Sequence, residues 1–227
     1  MSPLSSDLSH PWNLAQQDAI KLQHQLARRV VRRSSLAPAN IATVAGVDAS
    51  YRNGLATAVA VVVSVRDMRT VDWVTSSKRP GLPYISGLLC FREGPAVLDA
   101  LAKLSPQPDL LIFDGQGIAH PRRFGIASHI GLLLDMPTIG CAKTRLVGDY
   151  TEPQRKRGST SLLTHGEETI GAVVRTRTDV KPLFVSIGHR MDLDTSIRVV
   201  LKSCRGYRLP EPLRRADHLS RKKSKFV

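Results

Sequence analysis

An α/β fold built on one mixed sheet is what this sequence predicts, and three observations predict it. Between Ile41 and Thr75, three apolar segments of strand length are joined by the tight-turn pairs Asn53-Gly54 and Arg66-Asp67. Strand, tight turn, strand, tight turn, strand makes an antiparallel meander. Beyond Gly94-Pro95 the pattern changes to helical periodicity alternating with short apolar runs, as in a sheet with helices on both faces. Finally, 227 residues of which 42% are hydrophobic suffice for one domain with a substantial core.

The elements follow in order. Residues 1–10 are polar, with Ser and Pro, and are expected to be disordered. From Asn13 to Val31, apolar Ala15, Ala19, Leu22, Leu26 and Val30 recur at helical spacing. The opposite face carries Gln16, Gln17, Lys21, Arg28 and Arg32, and Pro38 breaks the chain. Ile41 to Asp48 is a nearly all-apolar strand that ends at a carboxylate. Leu55 to Val65 is apolar on both faces, like a central strand, and Met68 to Thr75 is mixed, like an edge. Gly94-Pro95 opens a helix, with Pro in a tolerated first-turn position and Val97, Leu98, Leu101 and Leu104 on its apolar face. Leu110 to Phe113 is a short buried strand, ended by Asp114-Gly115. Arg123 to Leu134 reads as helix and Thr138 to Cys141 as strand. Glu152 to Ser159 is a loop, Thr169 to Arg175 and Leu183 to Ile187 are strands, and Thr195 to Cys204 is a helix. The tail from Arg214 to Lys225 is strongly basic and expected to be half-ordered.

Lys and Arg number 33 against 19 Asp and Glu, a formal charge of +14. Such a charge favours a polyanionic partner, nucleic acid first and an anionic membrane surface second. A basic enzyme that meets nucleic acid only non-specifically is the plainer alternative. Cys90, Cys141 and Cys204 are odd in number and widely spaced, without a CxxC. They read as small core residues in a reducing compartment. No apolar run approaches a membrane span, and Met1 to His10 lacks the charge-then-apolar order of a secretory signal. A cytoplasmic protein without a membrane partner is expected.

Three carboxylates stand where a sheet presents side chains. Asp48 ends the first strand, Asp114 ends the fourth, and Glu93 lies just before the Gly94-Pro95 helix start. If the first and fourth strands are parallel neighbours, both Asp side chains emerge at one edge of the sheet, where sites form. Clustered carboxylates repel one another and call for a cation, and oxygen ligands suit Mg²⁺ or Mn²⁺ better than zinc. Each acid taken alone is better explained as a cap or an Arg partner, and only the two strand-end Asp together, in a chain this basic, bring the functional reading level with that. Lys143, after the short strand, can offset negative charge on a phosphoryl group, or be a solvated loop residue. His120 can bind phosphate or orient water, or be structural, and Arg122-Arg123 suit a phosphate backbone. The segment Pro83-Tyr84-Ile85-Ser86-Gly87 can wedge into a base stack if exposed, or form an ordinary hydrophobic loop if buried.

These residues then match a known pattern. Val44-Ala45-Gly46-Val47-Asp48, Pro83-Tyr84-Ile85, Phe91-Arg92-Glu93-Gly94-Pro95 and Phe113-Asp114-Gly115-Gln116-Gly117 occur in the order seen in endonuclease V. So do Ala119-His120-Pro121-Arg122-Arg123, Gly125-Ile126-Ala127-Ser128-His129, Pro137-Thr138-Ile139-Gly140, Ala142-Lys143 and Arg208-Leu209-Pro210-Glu211-Pro212. The chain resembles that family from about residue 11 onward. The resemblance implies a ribonuclease H-like fold and a single catalytic domain over 11–215, with 216–227 as a basic C-terminal tail. It also implies a Mg²⁺-dependent, DNA repair type of hydrolysis at the second phosphodiester bond 3′ to deoxyinosine, leaving 3′-hydroxyl and 5′-phosphate ends, by a monomer.

By match of motif, the resemblance has Asp48 and Asp114 hold the metal, with Glu93 completing an acidic triad. Lys143 serves phosphate charge, and His120 lies against the metal site or the backbone. Tyr84, flanked by Pro83 and Ile85, is the wedge, and Gly87, Leu89, Gly115, Ile126 and Leu146 line a pocket for the extracted base. Two departures stand out. Ser86 replaces the second Pro of the wedge motif and frees its backbone. Asp217 stands where some members carry a His near the metal, with a related role through a second cation or none. The rivals are a relative acting on inosine in RNA, another ribonuclease H-like nuclease, and a non-catalytic nucleic-acid binding protein on the same fold.

Overall fold

The computed structural model describes residues 8–223. An open eight-stranded sheet in the order β3-β2-β1-β4-β5-β8-β7-β6 forms its middle. The expected meander is there: β1 (Thr43–Arg52), β2 (Leu55–Ser64) and β3 (Thr70–Lys78) pair antiparallel, with β3 at the edge. Asn53 and Gly54 take the positive φ angles of 50° and 77° that their turn requires. β1 then pairs parallel with β4 (Leu110–Phe113), and β4 with β5 (Thr138–Ala142). The far wing departs from a plain parallel extension. There β6 (Thr160–His165), β7 (Glu168–Val174) and β8 (Leu183–His189) run antiparallel to their neighbours. The Ser/Thr-rich edge strand β6 had no apolar signature to announce it.

Side chains alternate across β1, so Val44 enters one core and Ala45 and Val47 the other. Helices α2 (Leu89–Leu101) and α3 (Ile126–Leu134) cover the second core, while α4 (Leu193–Ser203) and α5 (Glu211–Lys223) cover the first. The three cysteines are buried, as expected. No helix among the described residues is long and apolar enough to cross a membrane.

Four expectations need correcting. Helix α1 (Gln16–Ala27) is shorter than the Asn13–Val31 pattern, because Val31 leaves the helix to exchange backbone and ring hydrogen bonds with Arg190 and His189. Helix α2 starts at Leu89, not at Gly94-Pro95, and Pro95 lies inside it. Pro95 therefore removes one rung of the helix without breaking it. The division at 215/216 falls inside α5, so the basic segment is helical through Lys223 and not half-ordered there, while residues 224–227 of the expected tail lie outside the described residues. Leu213 and Ala216 enter the core and Leu219 packs against it, an i, i+3, i+6 stripe that was present in the sequence. At the other end, Leu8 is buried and His10 meets the His129 ring at 2.7 Å, so residues 8–10 pack. The rest of the expected disordered segment, 1–7, lies outside the described residues.

One glycine decides where α5 lies. A Cβ on Gly46 would sit 2.2 Å from the Pro212 backbone. Only Gly lets the start of α5 cross this closely over β1, and that crossing fixes the helix above the strand that carries Asp48.

Candidate active site

Asp48 and Asp114 meet because β1 outlasts its parallel neighbour. β4 stops at Phe113, and the Asp114 N–H still donates to the Val47 carbonyl at 3.0 Å. β1 itself continues to Arg52, so Asp48 sits within the strand and not at its end. The crevice lies where β4 and its pairing end. α5 delivers a third acid. Oxygens of Asp48, Asp114 and Asp217 lie within 4.8 Å of one another.

Lys143 follows β5 and ties this cluster together. Its Nζ donates to Asp114 Oδ2 at 2.5 Å and to Asp217 Oδ1 at 2.8 Å. Ser220, one turn along α5, donates to Asp48 Oδ2 at 2.6 Å. Arg221 also donates to Asp217, at 3.0 Å. Burial pushes the Asp48 carboxyl up to about 6, with the Ser220 bond opposing and the charges of Asp114 and Asp217 adding to the rise. Burial lowers the affinity of Lys143 for its proton, but the bonds to Asp114 and Asp217 outweigh this and its pKa rises. For Asp217 the balance is reversed: burial raises it, and Lys143 with Arg221 brings it below the ordinary value.

Glu93 lies inside α2. Burial, then the charges of Asp48 and Asp114, push its carboxyl up to about 8. It feels the cluster without belonging to the tight group of three oxygens, which is formed by Asp217 in its place. The expected trio 48, 93 and 114 is therefore a near neighbourhood of four acids, and the member that sequence reasoning left aside is among the nearest. Asp48, Asp114 and Asp217, with Glu93 near them, crowd carboxyl groups into a partly buried place where Lys143 and Arg221 are the bonded cations. Hard oxygen donors so arranged fit Mg²⁺ or Mn²⁺.

Beside the acids opens a cavity of about 410 Å³. Asp114 and Lys143 form part of its wall, and Gly87, Leu89, Gly115, Ile126 and Leu146 all line it. Tyr84 stands at its rim, 66% exposed, while Ile85 is half-buried against Leu88 and Phe91. Pro83 is exposed beside it. The Arg92 guanidinium lies 3.6 Å from the centre of the Tyr51 ring and 5.7 Å from that of Tyr84.

His120 lines the same cavity as Asp114 and Lys143, with both ring nitrogens bonded to the chain. The Arg122 backbone N–H donates to His120 Nδ1 at 3.1 Å, so Nδ1 must accept. The proton is then on Nε2, which donates to the Gly87 carbonyl at 3.0 Å. Gln23 Nε2, at 2.9 Å, and Arg122 Nη2, at 2.8 Å, donate to the same carbonyl. Arg122 Nε also donates to Gln23 Oε1, at 2.5 Å. Burial, with the charge of Arg122, lowers the His120 pKa to about 4. Both ring nitrogens are engaged, and His120 acts as a neutral clamp on the loop that carries Tyr84. Gly87 has a φ of 79°, which suits glycine, and a Cβ there would meet Arg122 Nη2 at 2.5 Å. Gln23 carried no sequence signal, because it lies on a helix face that reads as solvated.

Known proteins resemble this chain in sequence and fold. The family model for Endonuclease V matches residues 24–218. Endonuclease V of Methanothrix thermoacetophila is 49% identical over 223 residues, 96% of either chain. That of Gloeobacter violaceus is 50% identical over 224 residues, covering 96% of this chain and 90% of its own. The crystal structure of Endonuclease V from Streptomyces avermitilis matches with a TM-score of 0.90 at 41% identity, over 95% of both chains. Endonuclease V of Ciona intestinalis, in complex with a 24mer DNA containing an inosine followed by a ribo-adenosine, matches at 0.81 and 29% identity, over 92% of this chain and 98% of that one. The ribonuclease H-like architecture expected from the motifs holds, and the chain belongs to the endonuclease V family.

Proposed function

We propose that this protein is a Mg²⁺-dependent DNA repair endonuclease that hydrolyses the second phosphodiester bond 3′ to deoxyinosine, leaving 3′-hydroxyl and 5′-phosphate ends. The observation that carries this reading is the cavity whose wall is shared with Asp114 and Lys143. A base held there brings its own strand onto the acids. The Ciona relative, bound to inosine-containing DNA, supports the choice of lesion.

Asp48 and Asp114 hold the divalent ion, with Asp217 beside them, and Glu93 acts from α2 through the field it shares with them. Bound Mg²⁺, or Mn²⁺ in its place, supplies a polarised phosphoryl oxygen and an activated water. Lys143 holds Asp114 and Asp217 in place and offsets the negative charge that gathers on the phosphate. Tyr84, with Pro83 and Ile85, fills the gap left by the extracted base. Extraction costs a few kcal/mol, least at a weak pair, which favours lesions. Gly87, Leu89, Gly115, Ile126 and Leu146 receive the base, and His120 positions the Gly87 carbonyl. The chain works as a monomer in the cytoplasm.

The rival reading is a nuclease of the same family acting on inosine in RNA, favoured by the ribo-adenosine that follows the inosine in the DNA of the Ciona complex. A non-catalytic role fits poorly with four acids brought together. The test is incubation with matched single-inosine DNA and RNA strands, with and without Mg²⁺, and mapping of the cut. Nicking at the second bond, only with the ion, is expected. Nicking without a divalent ion, or at inosine-free DNA equally well, overturns the reading.

A further inference from the structure

Asp48, Asp114 and Asp217 come from three separate stretches of chain, and two side chains that are not acids tie them together. Lys143 spans Asp114 and Asp217. Ser220 spans the helix of Asp217 and the strand of Asp48: its hydroxyl donates to Asp48 Oδ2 at 2.6 Å, across 172 positions of sequence. Ser220 and Asp48 are both buried, so the bond is shielded from bulk water.

A serine inside a helix ordinarily turns its hydroxyl back to a carbonyl of the preceding turn. That acceptor is present, since the Asp217 carbonyl lies 3.0 Å from Ser220 Oγ. A hydroxyl has one proton, however. The shorter contact is to the carboxylate, where a charge-assisted bond is the stronger. Ordinary satisfaction of a buried helix serine accounts for the contact to the Asp217 carbonyl and not for the one to Asp48.

The bond also has a place in the packing. α5 crosses β1 at Gly46, where a Cβ would collide with the Pro212 backbone. Ser220 ties the same helix to the same strand about two turns further along. Asp217 lies between the two ties. The helix that delivers Asp217 is thereby fixed against the strand that delivers Asp48. The last torsion of an aspartate is broad and loosely set, and a bond to one oxygen fixes the plane of the carboxylate.

We infer that Ser220 is a positioning residue for the divalent ion, setting the orientation of the Asp48 carboxylate and its place relative to Asp217. The inference rests on the ion site of the proposed function. Ser220 acts through Asp48, and unlike Lys143 it carries no charge that competes with a cation for the carboxylates. Orientation matters most to Mg²⁺, which demands near-ideal octahedral oxygen geometry, and less to Ca²⁺, which accepts irregular surroundings. Loss of the hydroxyl therefore costs selectivity as well as affinity.

Calorimetric titration of the full chain with Mg²⁺ and, separately, with Ca²⁺ reads this without any nicking. A buffer above the Asp48 and Glu93 values of about 6 and about 8 removes competition from protons. Ser220→Ala should weaken Mg²⁺ binding about tenfold or more, the usual effect of losing a partner that orients a metal ligand. Its Ca²⁺ binding should fall by roughly threefold or less. Ser220→Cys fills nearly the same space with a weaker donor. It should show the same pattern, and it carries the test if the alanine variant does not fold, as judged by circular dichroism and melting without any ion. Unchanged Mg²⁺ affinity in a folded variant, or an equal loss for both ions, overturns the positioning role and leaves the nuclease intact. Failure of the unaltered chain to bind Mg²⁺ removes the ion site of the proposed function, and the role of Ser220 with it.

Discussion

The two halves of the site are held by opposite means. The acid cluster gathers like charges into a half-buried crevice, where Lys143 neutralises only part of them and the Asp48 and Glu93 carboxyls rise to about 6 and about 8. The base cavity is set by neutral and cationic donors converging on one carbonyl, that of Gly87, with Gln23 and His120 almost fully buried. Repulsion in the first half is of the kind that a ligand, the divalent ion of the proposed function, would relieve. The second half is complete without one. The difference teaches that the acid cluster is left with unbalanced like charges while the cavity wall is held by satisfied hydrogen bonds.

The largest expected effect breaks the first half alone. Asp48→Ala and Asp114→Ala each lower nicking of an inosine-containing duplex by about a thousandfold or more, the order seen when a group that stabilises transition-state charge is lost. Lesion binding should survive in a gel-shift titration. Full activity in either variant removes the acids from the chemistry. Both variants should also lose the rise in melting temperature that Mg²⁺ gives the unaltered chain.

Breaking the second half has a smaller effect of another kind. Gln23→Ala takes one donor from the Gly87 carbonyl and leaves Arg122 Nε without its acceptor. An unsatisfied buried partner costs about 1–3 kcal/mol, so lesion affinity should fall roughly tenfold or somewhat more, with kcat at saturation little changed. A fall in kcat with unchanged affinity makes Gln23 part of the chemistry and collapses the distinction.

The smallest effect comes from pH. His120 has an ordinary value of 6.5 and about 4 in the folded protein. The folded state thus resists a proton that the unfolded chain accepts. The stability this gives is fully present above 6.5 and is lost as pH falls from 6.5 toward 4. Lowering pH from about 7.5 to about 5.5 should remove about 1 kcal/mol through this group, and His120→Gln should flatten that part of the profile in urea melts. An unchanged profile means that the clamp does not depend on a neutral ring.

Much of this was legible in the chain. The Asn53-Gly54 turn and the apolar runs around it are local signals, and they marked the meander. The parallel pairing of the strands that carry Asp48 and Asp114 was a condition in the sequence reading, and the structure meets it. The five pocket residues were identified by motif, and they line one cavity. The start of α2 was misread because Pro95 suits a first turn better than a helix interior, and Glu93 was therefore set in a loop.

What the sequence determined by itself is whatever neighbours along the chain can settle: turns, strand and helix periods, buried cysteines, and the acid that follows the end of β4. Tertiary structure alone decided that α5 crosses β1 at Gly46, that Asp217 and Ser220 join acids far earlier in the chain, and that Gln23, His120 and Arg122 share one carbonyl. A basic helix with a narrow apolar stripe and a glutamine on a polar helix face look solvated in sequence. They become part of the site only when packing brings a partner to them, because hydrogen bonds and charge interactions act over a few ångströms of space and not along the chain.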